Sequence, residues 1–146
     1  TMIFPLTILY KIFFMPRTFL ILASLFSALA VVLGAFGAHG LKKILPADSL
    51  TAFETGVRYQ FYHCFALFIV ALAFEKGNKK WMKYAGYFFI TGILLFSGSL
   101  YLLTFLKAAD TVGLNGIGII TPVGGLFFVA GWIALSIGFG YKGTIK

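Results

Sequence analysis

Between Phe19 and Ala38 the chain runs for twenty residues without a charge. At 1.5 Å of rise per residue, such a run is long enough for a helix to cross the ~30 Å apolar core of a bilayer. Tyr84 to Leu106 forms a second uncharged run, and Val112 to Tyr141 a third. A shorter one, sixteen residues between Arg58 and Glu75, is long enough only if its helix begins further back, near Asp48 or Thr51. Thr51 followed by Glu54 has the spacing of a capping box there. Pro122 is expected in the first turn of the last helix, where its missing N–H costs little. Gly113, Asn115 and Gly116 suit the turn before it.

Composition agrees with four crossings. Hydrophobic residues make up 60% of the 146, charged residues 11%, and the mean hydropathy is +0.98, against roughly 25% charged in ordinary globular domains. The expected fold is therefore all-α: a single integral membrane four-helix bundle over 19–146, with helices at about 19–40, 49–75, 81–106 and 117–141. Residues 1–18 are apolar at first but interrupted by Lys11, Pro16 and Arg17, so they are expected as an interfacial extension, with Met15 as an alternative start.

Four crossings put the two termini and the 75–83 loop on one side. That side holds Lys11, Arg17, Lys76, Lys79, Lys80, Lys83, Lys142 and Lys146, against Lys42, Lys43, Arg58 and Lys107 on the other. By the positive-inside rule both termini are expected in the cytoplasm. The net charge of +8 is dispersed between apolar runs rather than gathered in a patch, so it reads as a topology signal and not as a nucleic-acid surface. The single cysteine, Cys64, lies inside an apolar run and is expected to pack.

Helix association in lipid depends on close packing, which small residues at regular spacing allow. Ala30, Gly34 and Ala38 follow at four-residue steps, and Gly124, Gly131 and Gly138 at sevens, so both rows are expected as packing surfaces. Trp132 falls about 15 Å into the last helix, where its indole N–H needs an acceptor. It is expected against another helix or a partner subunit.

Polar residues gather at one expected depth near the outer face: His39, Glu54, Arg58, Tyr59, His63, Ser97, Ser99, Tyr101 and Thr121. Glu54 and Arg58 are spaced to pair, as are Tyr59 and His63. On the structural reading these are an interfacial ion pair, an aromatic belt and a hydrogen-bonded histidine. On the functional reading His39, Tyr59 and His63, with Glu54, form a pocket for a lipid, quinone, metal or proton, since ionisable groups within membranes are functional suspects. The two histidines lack the local spacing of a metal motif, Ser97-Gly98-Ser99 is no nucleophile elbow, no phosphate loop occurs, and no intramembrane carboxylate row or inverted repeat suggests a transporter.

The segments "GAFGAHGL" at 34–41, "FETGVRYQFYH" at 53–63, "LFSGSLYLL" at 95–103 and "ITPVGGLFFVAGW" at 120–132 resemble, in order, the small bacterial inner-membrane family catalogued as domain of unknown function 423, which looks related to eukaryotic transmembrane protein 256. The resemblance covers about Met15 to Tyr141. It implies a four-helix membrane protein and no established activity, with Gly34, Gly37, His39, Gly40, Tyr59, His63, Ser97, Gly98, Tyr101, Pro122, Gly124, Gly125 and Trp132 as matching positions. The resulting expectation is a non-enzymatic accessory or assembly subunit of a larger membrane complex, the alternative being the small-molecule site above. The expected partners are membrane lipid and a membrane protein or further copies of the chain, with no cofactor.

Overall fold

The computed structural model of the chain describes residues 6–109 and 114–140, with side chains over 16–109 and 116–140. Expectations that rest on Gly113 or on the side chains of Lys11, Asn115, Tyr141, Lys142 and Lys146 lie outside those residues. Among the described residues all regular structure is helical: α1 (Leu6–His39), α2 (Ala47–Ala73), α3 (Lys79–Gly92), α4 (Gly98–Ala108) and α5 (Ile120–Gly140). A π turn, Ile93–Ser97, joins α3 to α4, and a 3₁₀ segment, Leu114–Ile119, precedes α5. Among the described residues, four stretches are long and apolar enough to cross a membrane: Pro16–Lys43, Ala47–Ala73, Lys79–Ala108 and Gly116–Gly140. The all-α membrane bundle expected from the charge-free runs is the architecture found.

Helix boundaries differ from expectation where local chemistry was misjudged. α1 starts at Leu6 instead of Phe19, and Pro16 stands inside it. A proline removes a single i→i−4 hydrogen bond, and the Leu, Ile, Phe and Met residues on either side all tolerate helix. α2 starts at Ala47, because Pro46, with φ −58° and ψ 151°, fixes extended backbone immediately before it. Thr51 therefore lies within the helix, and its hydroxyl donates 2.9 Å to the Ala47 carbonyl instead of capping. The capping box belongs to no helix end. α3 is capped by Asn78, whose side-chain oxygen accepts from the N–H groups of Lys80 and Trp81. Pro122 is the third residue of α5, where no intrahelical partner for its N–H is needed.

α2 occupies the middle, with α1 against one flank and α3, the π turn and α4 against the other, while α5 packs on α3 and the π turn. The seam between α3 and α5 follows from sequence spacing. Gly124, Gly131 and Gly138 are all buried, and a side chain at each would meet Phe96, Phe89 and Met82 respectively. Those three partners also recur at sevens, so an antiparallel pair of seven-residue rows interlocks bulky side chain with glycine. A seven-residue step falls only about 20° short of two helical turns, and both rows stay on their seam.

The row expected on α1 drifts instead. Each four-residue step overshoots one turn by about 40°, so Ala30 is buried, Gly34 half-buried and Ala38 exposed. The row that packs is Ala30, Gly34 and Gly37. A Cβ on Gly34 would lie 3.5 Å from Val57 Cγ1, and one on Gly37 3.1 Å from the Phe53 ring. At the opposite end of the hairpin Phe19 fills the space left by Gly86.

Candidate functional site

The polar side chains inside the bundle bond to one another or to helix carbonyls. Gln60, only 2% exposed, donates 2.7 Å from Nε2 to the Phe26 carbonyl on α1 and accepts 2.9 Å at Oε1 from the Tyr101 hydroxyl on α4. One carboxamide thus bridges three helices. Ser97 Oγ donates 2.8 Å to the Gly56 carbonyl. Ser99 Oγ donates 2.9 Å to the Phe96 carbonyl, so its 2.6 Å contact with Thr121 Oγ1 takes its proton from Thr121. Among the described residues no buried side-chain nitrogen or oxygen lacks a hydrogen-bond partner.

His63 has both ring nitrogens committed. Trp132 Nε1–H can only donate, and it lies 3.3 Å from His63 Nε2, which must therefore accept. The proton is then on Nδ1, 2.7 Å from the Tyr59 carbonyl. The pair of contacts selects the neutral Nδ1–H tautomer, and the ring stacks on Phe128 with centroids 3.4 Å apart and planes 6° from parallel. A metal or quinone oxygen would have to displace Trp132 to reach Nε2. Trp132 thus finds its acceptor within the chain while 46% of it remains exposed.

The expected single polar layer is not formed. Tyr59, on α2 with His63, stacks on Phe96 of the π turn at 4.7 Å. His39 is exposed at the end of α1, beside the 40–46 turn. Gly34 and Gly37 face Val57 and Phe53 across the hairpin, so His39 lies about a dozen residues, roughly 18 Å, from the level of His63. The expected helix, 49–75, already holds His63 near its middle, as does α2, and only His39 stands at a helix end. Among the described residues no group of three or more His, Cys, Asp or Glu side chains could hold a metal ion.

The remaining two candidates, Glu54 and Arg58, face outward. Both are exposed, and they do not pair with each other: Arg58 Nη2 reaches Thr55 Oγ1 at 3.4 Å, whereas Glu75 and Lys79, at the same i, i+4 spacing, do form an ion pair. They border two open depressions between α1 and α2. One, of about 200 Å³, is lined by Gly34, Gly37, Phe53, Glu54, Val57 and Arg58. The other, of about 260 Å³, continues along Ala30, Val31, Phe61 and Tyr62. Ala28 and Leu95 mark the middles of the uncharged stretches of α1 and of 79–108. Arg58 is level with Gly34 and Ser97, its neighbours' partners across the two seams. It therefore stands about 3–9 Å from those midpoints along the helix axes.

Residues 33–125 match the family model described as Protein of unknown function (DUF423). The chain belongs to the DUF423 family. It is 40% identical over 122 residues to the UPF0382 membrane protein YwdK of Bacillus subtilis, covering 83% of this chain and 94% of the relative. It is 43% identical over 124 residues to a UPF0382 membrane protein of Haemophilus influenzae, covering 85% and 94%. With the UPF0382 inner membrane protein YgdD of Escherichia coli K12 the identity is 37% over 122 residues, covering 84% and 88%. No solved structure matches it significantly. This DUF423 chain is a membrane protein, and its matched segment takes in His39, Glu54, Arg58, Gln60, His63 and the π turn, with Trp132 beyond it.

Several positions that organise the DUF423 bundle escaped the sequence reading. Gln60 could have been found as a lone carboxamide within an apolar run, three residues before His63. Gly56, which admits Tyr101, and Gly92, which admits Phe128, fall in no periodic row. Nothing in the sequence marks the π turn.

Proposed function

We propose that this DUF423 protein is a non-enzymatic accessory or assembly subunit that binds another membrane protein through the α1–α2 face. The observation that carries this reading is the outward exposure of Arg58 and Glu54. With the uncharged stretches centred in a bilayer, Arg58 lies within its ~15 Å half-thickness, and Glu54 lies one turn nearer the surface. A charge facing lipid near the middle of a bilayer costs about 2.5–3.5 kcal/mol on insertion scales, and an opposed charge on a neighbouring protein removes the reason for that cost. The interior supports the same reading, because its polar groups are mutually satisfied and hold the helices together.

Both termini are proposed to lie in the cytoplasm, on the distribution of Lys and Arg between the two sides, eight on the terminal side against Lys42, Lys43 and Lys107 on the other once Arg58 is placed within the span. Reporter fusions at each terminus test this; activity of a periplasm-dependent reporter at either one would overturn it. The accessory role is tested by purification in mild detergent at native expression. Recovery with a stoichiometric membrane protein is the expected outcome, and recovery as a lone monomer contradicts it.

A further inference from the structure

We infer that the occupant of the α1–α2 face is the same face of a second copy of this chain, with Glu54 of each copy paired to Arg58 of the other. The inference rests on the reading that protein covers this face, and it adds the identity of that protein. The two charges are of opposite sign, exposed, and one helical turn apart on α2. Arg58 has one long contact, to Thr55 Oγ1 at 3.4 Å, and among the described residues Glu54 has no hydrogen-bond or ion-pair partner. An isologous twofold interface brings the same patch of both subunits together, so that residue i meets j and j meets i.

Two copies inserted in the same orientation share a twofold axis along the membrane normal, which sets α2 beside α2 at equal depth. Glu54 of one copy then lies one turn from Arg58 of the other, twice over. An arginine side chain bridges such an offset, and its guanidinium matches a carboxylate in bidentate geometry. A protein of different sequence would have to supply an anion and a cation at those two depths, whereas a second copy carries them already. The surroundings also fit themselves. The depressions over Gly34 and Gly37 and along Ala30 lie beside the protruding side chains of Val31 and Tyr62, which are 62% and 57% exposed.

Two differently tagged full-length chains, co-expressed in membranes, test the pairing. Wild-type copies should recover each other. Glu54→Arg alone makes the face wholly basic and Arg58→Glu alone makes it wholly acidic. Each variant should lose self-association by about tenfold or more, the size expected when a close ion pair is replaced by repulsion. Co-expressed with one another, the two variants should associate as the wild type does, since one presents two cations and the other two anions.

A chain altered only by Val31→Cys, treated with a bifunctional thiol reagent, gives a measurement that does not depend on the folding of the charge variants. A cross-linked species of twice the chain's mass is expected. If the cross-link captures a different protein and no second copy, the pairing is overturned while the accessory role stands. If no protein is captured and the chain runs as a monomer, both fail. Self-association that persists through each single reversal, or that the mixed variants do not restore, also overturns the pairing.

Discussion

At the glycines of this bundle a single methyl group decides whether two helices can meet. A Cβ at Gly124 would fall against the backbone of Phe96, 2.8 Å from its Cα, and backbone cannot swing aside as a side-chain end can. Gly98 has nothing within 4 Å. Gly124→Ala is expected to destabilise the protein by about 1–3 kcal/mol, as overpacking does. Gly98→Ala should raise stability by about 0.5–1 kcal/mol, the helix preference of alanine over glycine. Thermal unfolding of both in one detergent checks the difference in sign. The Gln60–Tyr101 contact gives a second expectation. Tyr101→Phe leaves Gln60 Oε1 buried without its donor, a cost of about 1–2 kcal/mol, and Gln60→Leu removes bonds to two helices at once. In the double variant the losses should be less than additive, since either substitution alone abolishes the shared bond. The seven-residue glycine row was legible in the sequence because its period is close to two helical turns, but Gly56 and Gly92 were not, since each answers one aromatic ring on another helix.

The π turn is the element that lets one span face two neighbours. Gly98 N–H bonds back to the Ile93 carbonyl, five residues earlier, which accommodates one residue more than an α-helix would. Phe96 reaches Gly124 and stacks on Tyr59, while Ser97 bonds Gly56. Deleting exposed Leu94 should convert the turn to regular helix with α3 and α4 keeping their faces, whereas deleting exposed Leu102 rotates the rest of α4 by about 100°. The first chain is expected to retain a cooperative unfolding transition and the second to lose it, as followed by circular dichroism. Charge-free length made the four spans legible. The start of α1 was not, because Pro16 fails to end that helix, whereas α2 begins at Ala47, within two residues of the expected 49. His63 lies in the middle of α2 whichever of these starts is taken, and that separates it from His39 at the end of α1.

On the scale of the whole molecule, the buried polar side chains among the described residues are all partnered, and the charges of Glu54 and Arg58 stand exposed. His63, Gln60, Ser97, Ser99 and Tyr101 each make a hydrogen bond to a neighbouring span, while among the described residues Glu54 and Arg58 have no ionic partner on their exposed face. Sequence alone supplied the names of those two residues but not their outward direction, because an i, i+4 spacing is compatible with a pair that satisfies itself. The most direct measurement is photo-cross-linking in native membranes, with a photoreactive side chain at Val31 on the α1–α2 face and, for comparison, at Leu126 on α5, which is 69% exposed. Protein adducts from Val31 and predominantly lipid adducts from Leu126 are expected. Lipid adducts alone from Val31 would contradict the account.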